Sequence, residues 1–202
     1  MLRYKNRLLA YVKLQRVASQ AEGRPYQHYA DLLWRLKNGD HSAWEHFVTE
    51  WGTRVYSYLR YNTQTEDDAQ HVLSEIMVMI VHEMPHFDGN ITLATFVFTL
   101  AYRKVKEYWH RYGKSATLMR FASSMQEHSA KENNGVNQET ALQRIWTQLE
   151  EQAQQALLLR YHAGLNINEV ADVLGRSYES TEFLLNQLHR QFHHLFLGSA
   201  RV

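Results

Sequence analysis

Proline is the residue that the interior of an α-helix tolerates least, and this chain of 202 residues contains only Pro25 and Pro85. Aliphatic residues recur at three- and four-residue spacing through most of the sequence, the period of a helix that buries one face. Together these features predict an all-α fold. In "YADLLWRLKNGDHSAWEHFVTEWGTRVYSYL" the spacing gives a helix carrying Leu32, Leu33 and Leu36, a stop at Gly39, and a second helix carrying Trp44, Phe47, Val48 and Trp51. Asp40 or Ser42 stands where it would cap that second helix. In "TEDDAQHVLSEIMVMIVHEMPHF", Thr65 followed by carboxylates marks a helix start, because anions favour the positive end of the helix dipole, and Pro85 ends the run. After "DGN" (88–90), a further helix is expected from Leu93 to Tyr112, with Phe96, Val97, Leu100, Ala101 and Val105 inward.

A change of composition divides the chain. The run "SSMQEHSAKENNGVNQE" (123–139) has too few apolar residues to join a core and reads as a flexible linker. The expected organisation is a basic extension at 1–25, a helical domain at 26–114, the linker at 115–140 and a second helical domain at 141–197. The second domain contains "LNINEVADVLGRSYESTEFLL" (165–185), in which Ala171 allows two helices to approach and Gly175 permits a left-handed turn between them. Val170, Val173 and Leu174 before the turn, with Leu185, Leu188 and Phe192 after it, supply a shared core. This is a helix-turn-helix pattern, a fold that binds DNA through its second helix in many proteins and serves protein contact in others.

Several functional classes are set aside by what is missing. With no cysteine there are neither disulfides nor zinc knuckles, which suits a reducing cytoplasm. No window is long and apolar enough to span a membrane, and no signal-peptide pattern opens the chain. Without a glycine-rich phosphate loop, a nucleophile elbow or a metalloprotease motif, no enzyme, cofactor or metal centre is expected. His189 and His193 have the four-residue spacing of a helical metal pair, with His194 adjacent, but no nearby carboxylate or cysteine completes a ligand set, so they read as surface or partner-facing.

Charge is nearly balanced overall, with 22 Lys and Arg against 21 Asp and Glu, so its distribution carries the information. Residues 1–25 hold Arg3, Lys5, Arg7, Lys13, Arg16 and Arg24 against Glu22. The start "YKNRLLAYVKLQRV" is basic and amphipathic; packing or disorder is its default reading, ahead of nucleic acid or a membrane surface. A second basic cluster, "YRKVKEYWHRYGK" (102–114), interleaves Arg103, Lys104, Lys106, Arg111 and Lys114 with Tyr102, Tyr108, Trp109 and Tyr112. Cations that follow phosphates, with rings on which bases stack, are the equipment of single-strand binding. The plainer alternative is that the rings belong partly to the core and the cations complement the helix dipole.

The order of "DDAQHVLSEIMVMI", "FDGN", "LATFVFTLAYRKVKEYWHR", a polar linker and "LEEQAQQALLLRYHAGLNINEVADVLGRS" resembles the extracytoplasmic-function (ECF) group of bacterial RNA polymerase sigma factors, over about residues 28–196. "LLLRYHAGL" followed by "EVADVLG" is the most specific part. The resemblance implies a sigma region two-like domain and a region four-like helix-turn-helix domain, with core RNA polymerase (the β′ clamp) and promoter DNA as partners, and an anti-sigma factor or another DNA-targeting protein as a further one. It implies polymerase contact by Asp68, His71, Val72 and Glu75. It implies capture of the melted minus-ten strand by Asn90, Arg103, Lys104, Lys106, Tyr108, Trp109 and Arg111. Contact with the minus-thirty-five duplex, or with a partner, falls to Arg176, Ser177, Tyr178, Asn186, His189 and Arg190.

The chain departs from the family pattern at informative places. Arg103 and Glu107 stand where the family usually has an asparagine and an aspartate, Phe96 where it has a tryptophan, and His71 and Ser74 where it has an aspartate and a glutamine. From 142 to 197 the cations are Arg144, Arg160, Arg176 and Arg190, against Glu150, Glu151, Glu169, Asp172, Glu179 and Glu182. Phosphate neutralisation supplies much of the affinity for duplex DNA, so a net acidic domain leaves two readings: a weak duplex contact, or a helix turned towards a protein partner.

Overall fold

The computed structural model describes residues 26–113 and 146–197; the basic extension at 1–25 and the linker at 115–140 lie outside them. The described residues are helical with no strand: α1 (Tyr26–Lys37), α2 (His41–Leu59), α3 (Glu66–Glu83), α4 (Leu93–Tyr112), α5 (Glu151–Leu157), α6 (Ile167–Leu174) and α7 (Tyr178–Leu197). A 3₁₀ turn, Met84–His86, follows α3, and a π turn, Leu158–His162, continues α5. Among these residues no helix is long and apolar enough to cross a membrane.

Local chemistry accounts for the boundaries. Gly39, at φ 73°, turns the chain after α1, and Asp40 caps α2 by accepting from the Ala43 N–H at 2.9 Å. The Thr65 hydroxyl accepts from the Asp68 N–H at 3.0 Å while the Asp68 carboxylate accepts from the Thr65 N–H at 3.1 Å, a reciprocal capping box that starts α3. Asn166 and Glu169 form the same device at α6. Gly175 takes the left-handed φ of 66° that the turn into α7 requires.

The first four helices form one lobe, with α2 packed on α3 and α3 on α4. Phe47, Trp51, Val55, Leu59, Ile76, Ile80, Val97, Phe98 and Val105 are sealed inside it. Two residues of the expected core differ. Val48 is 48% exposed, and Phe96 is half-buried, tilted against Phe87 with ring centroids 4.6 Å apart. The α5–α7 lobe buries Leu158, Leu159, Leu165, Val170, Val173, Leu185 and Leu188.

The two lobes pack against each other, α6 along α4 and the π turn against α2, so that one continuous apolar cluster runs through both. Their seam contains a closed set of buried hydrogen bonds. The Tyr58 hydroxyl donates to Gln155 Oε1 at 2.5 Å, Gln155 Nε2 donates to Asn62 Oδ1 at 2.8 Å, and Asn62 Nδ2 donates to the Tyr58 carbonyl at 2.9 Å. Trp109 Nε1 adds a bond of 3.0 Å to the Asn62 carbonyl. At the rim, Arg54 donates through Nε and Nη2 to the Ala163 carbonyl at 3.1 and 2.9 Å while lying 4.3 Å over the Trp51 ring, and the Thr92 hydroxyl donates to Glu169 Oε1 at 2.8 Å.

A buried donor or acceptor that loses its partner costs about 1–3 kcal/mol. Replacing Gln155 with alanine strands the Tyr58 hydroxyl and the Asn62 amide oxygen together, so the unfolding free energy of Gln155→Ala is expected to fall by that order per stranded group, read as a lower urea midpoint. An unchanged midpoint would show that the seam contributes no stability.

Candidate nucleic-acid and polymerase interface

Helix α4 buries Leu93, Ala94, Val97, Leu100, Ala101 and Val105, and the same stripe continues through Tyr108 and Trp109. These last two rings, expected outward as stacking platforms, are each only 6% exposed. The Tyr108 hydroxyl donates to Asp68 Oδ2 at 3.0 Å and accepts from the Gln64 N–H at 3.0 Å, and Trp109 is tied to Asn62. Their positions three and four residues after Val105 keep them on the packed side. The ring that does face water is Tyr112, 58% exposed, with its centroid 4.8 Å from that of Tyr108.

The cations divide into two kinds. Arg103, Lys106 and Arg111 are exposed. Arg103 and Arg111 make no ion pair among the described residues, and Lys106 Nζ lies 5.6 Å from the centroid of the Tyr102 ring. Lys104 is committed instead, with Nζ at 2.7 Å from Glu107 and 3.6 Å from Glu75, and its pKa is raised chiefly by the hydrogen bond to Glu107. Asn90 stands before the other end of α4, where its side chain donates to Asp88. A helix of 20 residues is about 30 Å long, so Asn90 does not join the cationic cluster.

Helix α3 supplies the facing wall. Asp68 is occupied by its capping box and by Tyr108. Val72 is 4% exposed and belongs to the core, so that only a small part of it reaches the cleft between α3 and α4. His71 is exposed and half-buried Glu75 lies between it, at 3.6 Å, and Lys104. A shallow cleft is lined by Asp68, His71 and Glu75 from α3 and by Lys104, Tyr108 and Arg111 from α4. Residues assigned by sequence to two different partners thus share one cleft. The cleft also includes Glu107, noted in the sequence as a departure from the family pattern, and Tyr112, noted as one of the rings along 102–114.

The helix-turn-helix residues scatter. Arg176 is half-buried and donates to Gln152 Oε1 at 2.6 Å and Ser180 Oγ at 2.5 Å, which turns it inward. Ser177 precedes α7 and its hydroxyl accepts from the Ser180 N–H at 3.2 Å. The Tyr178 hydroxyl donates to Glu182 at 3.2 Å. Asn186 and Arg190 are exposed and His189 is half-buried; the side chains of Phe192, His193 and His194 lie outside the described residues. Phe183 projects at 71% exposure between Glu179 and Glu182 on the one hand and Asn186 on the other.

Burial raises the Tyr108 pKa from its ordinary 10.0 to about 12, with Asp68 adding to the shift. A pKa higher in the folded than in the unfolded chain gives stability that is complete below the unfolded value and disappears as pH rises through the folded one. The urea midpoint is therefore expected to fall between about pH 10 and 12, and to fall less steeply in Tyr108→Phe. The same slope in both proteins would place the Tyr108 hydroxyl in water.

No family model and no curated protein matches the chain. Among solved structures it is similar in fold to CnrH in complex with the cytosolic domain of CnrY, with a TM-score of 0.59 at 16% identity, over 85% of this chain and 97% of that one.

Proposed function

We propose that this chain is a sigma factor of the ECF type, which binds core RNA polymerase and holds promoter DNA during initiation. The observation that carries this reading is the end of α4. There Arg103, Lys106 and Arg111 stand unneutralised in water beside the exposed Tyr112, on a fold similar to that of CnrH. The motif order through both lobes supports it.

In this reading Arg103, Lys106 and Arg111 follow the phosphates of the melted strand. Tyr112 offers the stacking face, worth about 1–3 kcal/mol per base. Tyr108 and Trp109 hold the helix at the correct angle and do not touch the strand. Lys104 orients Glu75 and Glu107, and the polymerase contact falls to the polar side of α3 around His71 and Glu75. CnrH is seen with the cytosolic domain of CnrY, and a protein partner of that kind, acting as an anti-sigma factor, belongs to the proposal.

The outer face of α7 favours a second reading, a sigma-derived adaptor that binds proteins without reading the minus-thirty-five duplex. Its first two turns carry Glu179, Glu182 and Phe183, while Arg176 is spent on Gln152 and Ser180. Phosphates are repelled by such a surface.

Run-off transcription with purified core polymerase separates the two. Transcript that depends on this chain is expected; polymerase binding with no transcript at any promoter supports the adaptor. Reversing Arg103 and Lys106 to glutamate is expected to weaken binding of single-stranded DNA by about tenfold or more at low salt, with polymerase binding retained. Equal loss of both would mean that this end of α4 faces the polymerase.

A further inference from the structure

We propose that the basic segment at residues 1–25 docks, within the same chain, on the outer face of α7. The argument begins with that face. Glu179, Phe183, Asn186 and Arg190 follow one another at three- and four-residue spacing on a single exposed side, with Glu182 at its edge. Phe183 is 71% exposed. One exposed apolar ring is ordinary; the charge around this one is not. Glu179 has no cation partner among the described residues, and Glu182 is met only by the Tyr178 hydroxyl. Of the nearby cations, Arg160 turns to the Leu165 carbonyl at 2.7 Å and Arg176 to Gln152 and Ser180, and exposed Arg190 stands two turns beyond Phe183, away from Glu179 and Glu182.

The complement to an apolar centre flanked by carboxylates is an apolar centre flanked by cations. Residues 1–25 have that pattern: Leu8, Leu9, Tyr11 and Val12 lie between Arg3, Lys5 and Arg7 on one side and Lys13, Arg16 and Arg24 on the other, against Glu22 alone. Other exposed apolar side chains fit such a segment less well. Trp34, 66% exposed, is followed by Arg35 and neighboured by Lys37, and Val78 and Val81 share their helix face with His71, Ser74, His82 and Glu75, the last already met by Lys104 at 3.6 Å. Glu45, beside the exposed Val48, is already faced by His41 at 3.8 Å.

Reach does not limit the contact, since 25 residues extend up to about 80 Å. Covalent connection favours the chain's own segment over a separate basic protein, because a tethered partner is present at an effective concentration of about millimolar order. The docked segment covers the side of α7 that a helix-turn-helix protein would present to duplex DNA.

The test is photocrosslinking in the purified full-length chain, with p-benzoylphenylalanine in place of Tyr11 and adducts mapped by mass spectrometry. Adducts within a single chain to the peptide spanning residues 177–190 are expected. Their yield should fall about threefold or more in Phe183→Ala and in the Glu179→Lys, Glu182→Lys double variant, and in 0.5 M salt. Glu179 and Phe183 are exposed and Glu182 is half-buried at the edge of the face, so the variants leave the fold in place, which circular dichroism checks. Adducts mapping elsewhere, adducts joining two chains, no adduct at all, or a yield indifferent to all three changes would each overturn the proposal.

Discussion

The arrangement of this molecule depends on a ring of hydrogen bonds closed around Asn62. That side chain accepts from Gln155 and donates to the Tyr58 carbonyl, while its own backbone carbonyl takes the Trp109 indole N–H. Three stretches far apart in sequence, the end of α2 with the loop after it, α4 and α5, are fixed by buried groups. Inside a protein such a network stabilises when every member is paired and costs heavily when one is not. It also decides which side of α4 is available. Once Trp109 is drawn to Asn62 and Tyr108 to Asp68, Arg103 and Lys106 are left on the far side of the helix in water, and Arg111 at the edge of the cleft.

Much of this was legible before any coordinates. The extent of α4, the capping box at Thr65 and the left-handed turn at Gly175 follow from short-range rules, which operate within about one helical turn, and the burial of Val170, Val173, Leu174, Leu185 and Leu188 follows from helical periodicity. The sidedness of Tyr108 and Trp109 was legible in principle, since Ala101, Val105, Tyr108 and Trp109 continue one apolar stripe. Their interleaving with cations masked it, and the groups that settle the matter, Asp68 and Asn62, lie 40 and 47 residues away. The seam between the lobes had still less of a signal. Gln155 sits in "EEQAQQALLL" as one glutamine among several, and no period distinguishes the one that is buried.

The electrostatics of α4 follow from the same geometry. Lys104 faces α3 and is neutralised there by Glu75 and Glu107, so it serves packing as much as charge. Of the other cations, Arg111 lines the cleft with Glu107 without pairing to it, and Arg103 and Lys106 are exposed. In the other lobe Arg160 and Arg176 are spent on internal acceptors, leaving Arg190 exposed there.

The π turn at Leu158–His162 has a consequence of a different kind. There the Ala163 N–H bonds to the Leu158 carbonyl at 3.0 Å, one residue farther back than in an α-helix, so the segment accommodates a surplus residue in a helical run. The widened turn carries His162 against Tyr61, with ring centroids 4.2 Å apart, and brings the Ala163 carbonyl to Arg54. Deleting a single amino acid here would restore ordinary helical winding and remove the widened turn that sets His162 on Tyr61 and the Ala163 carbonyl on Arg54. Relatives of this protein that lack the surplus residue would have to join their halves by other contacts, which makes indels at this spot a marker for how the two halves meet across a lineage.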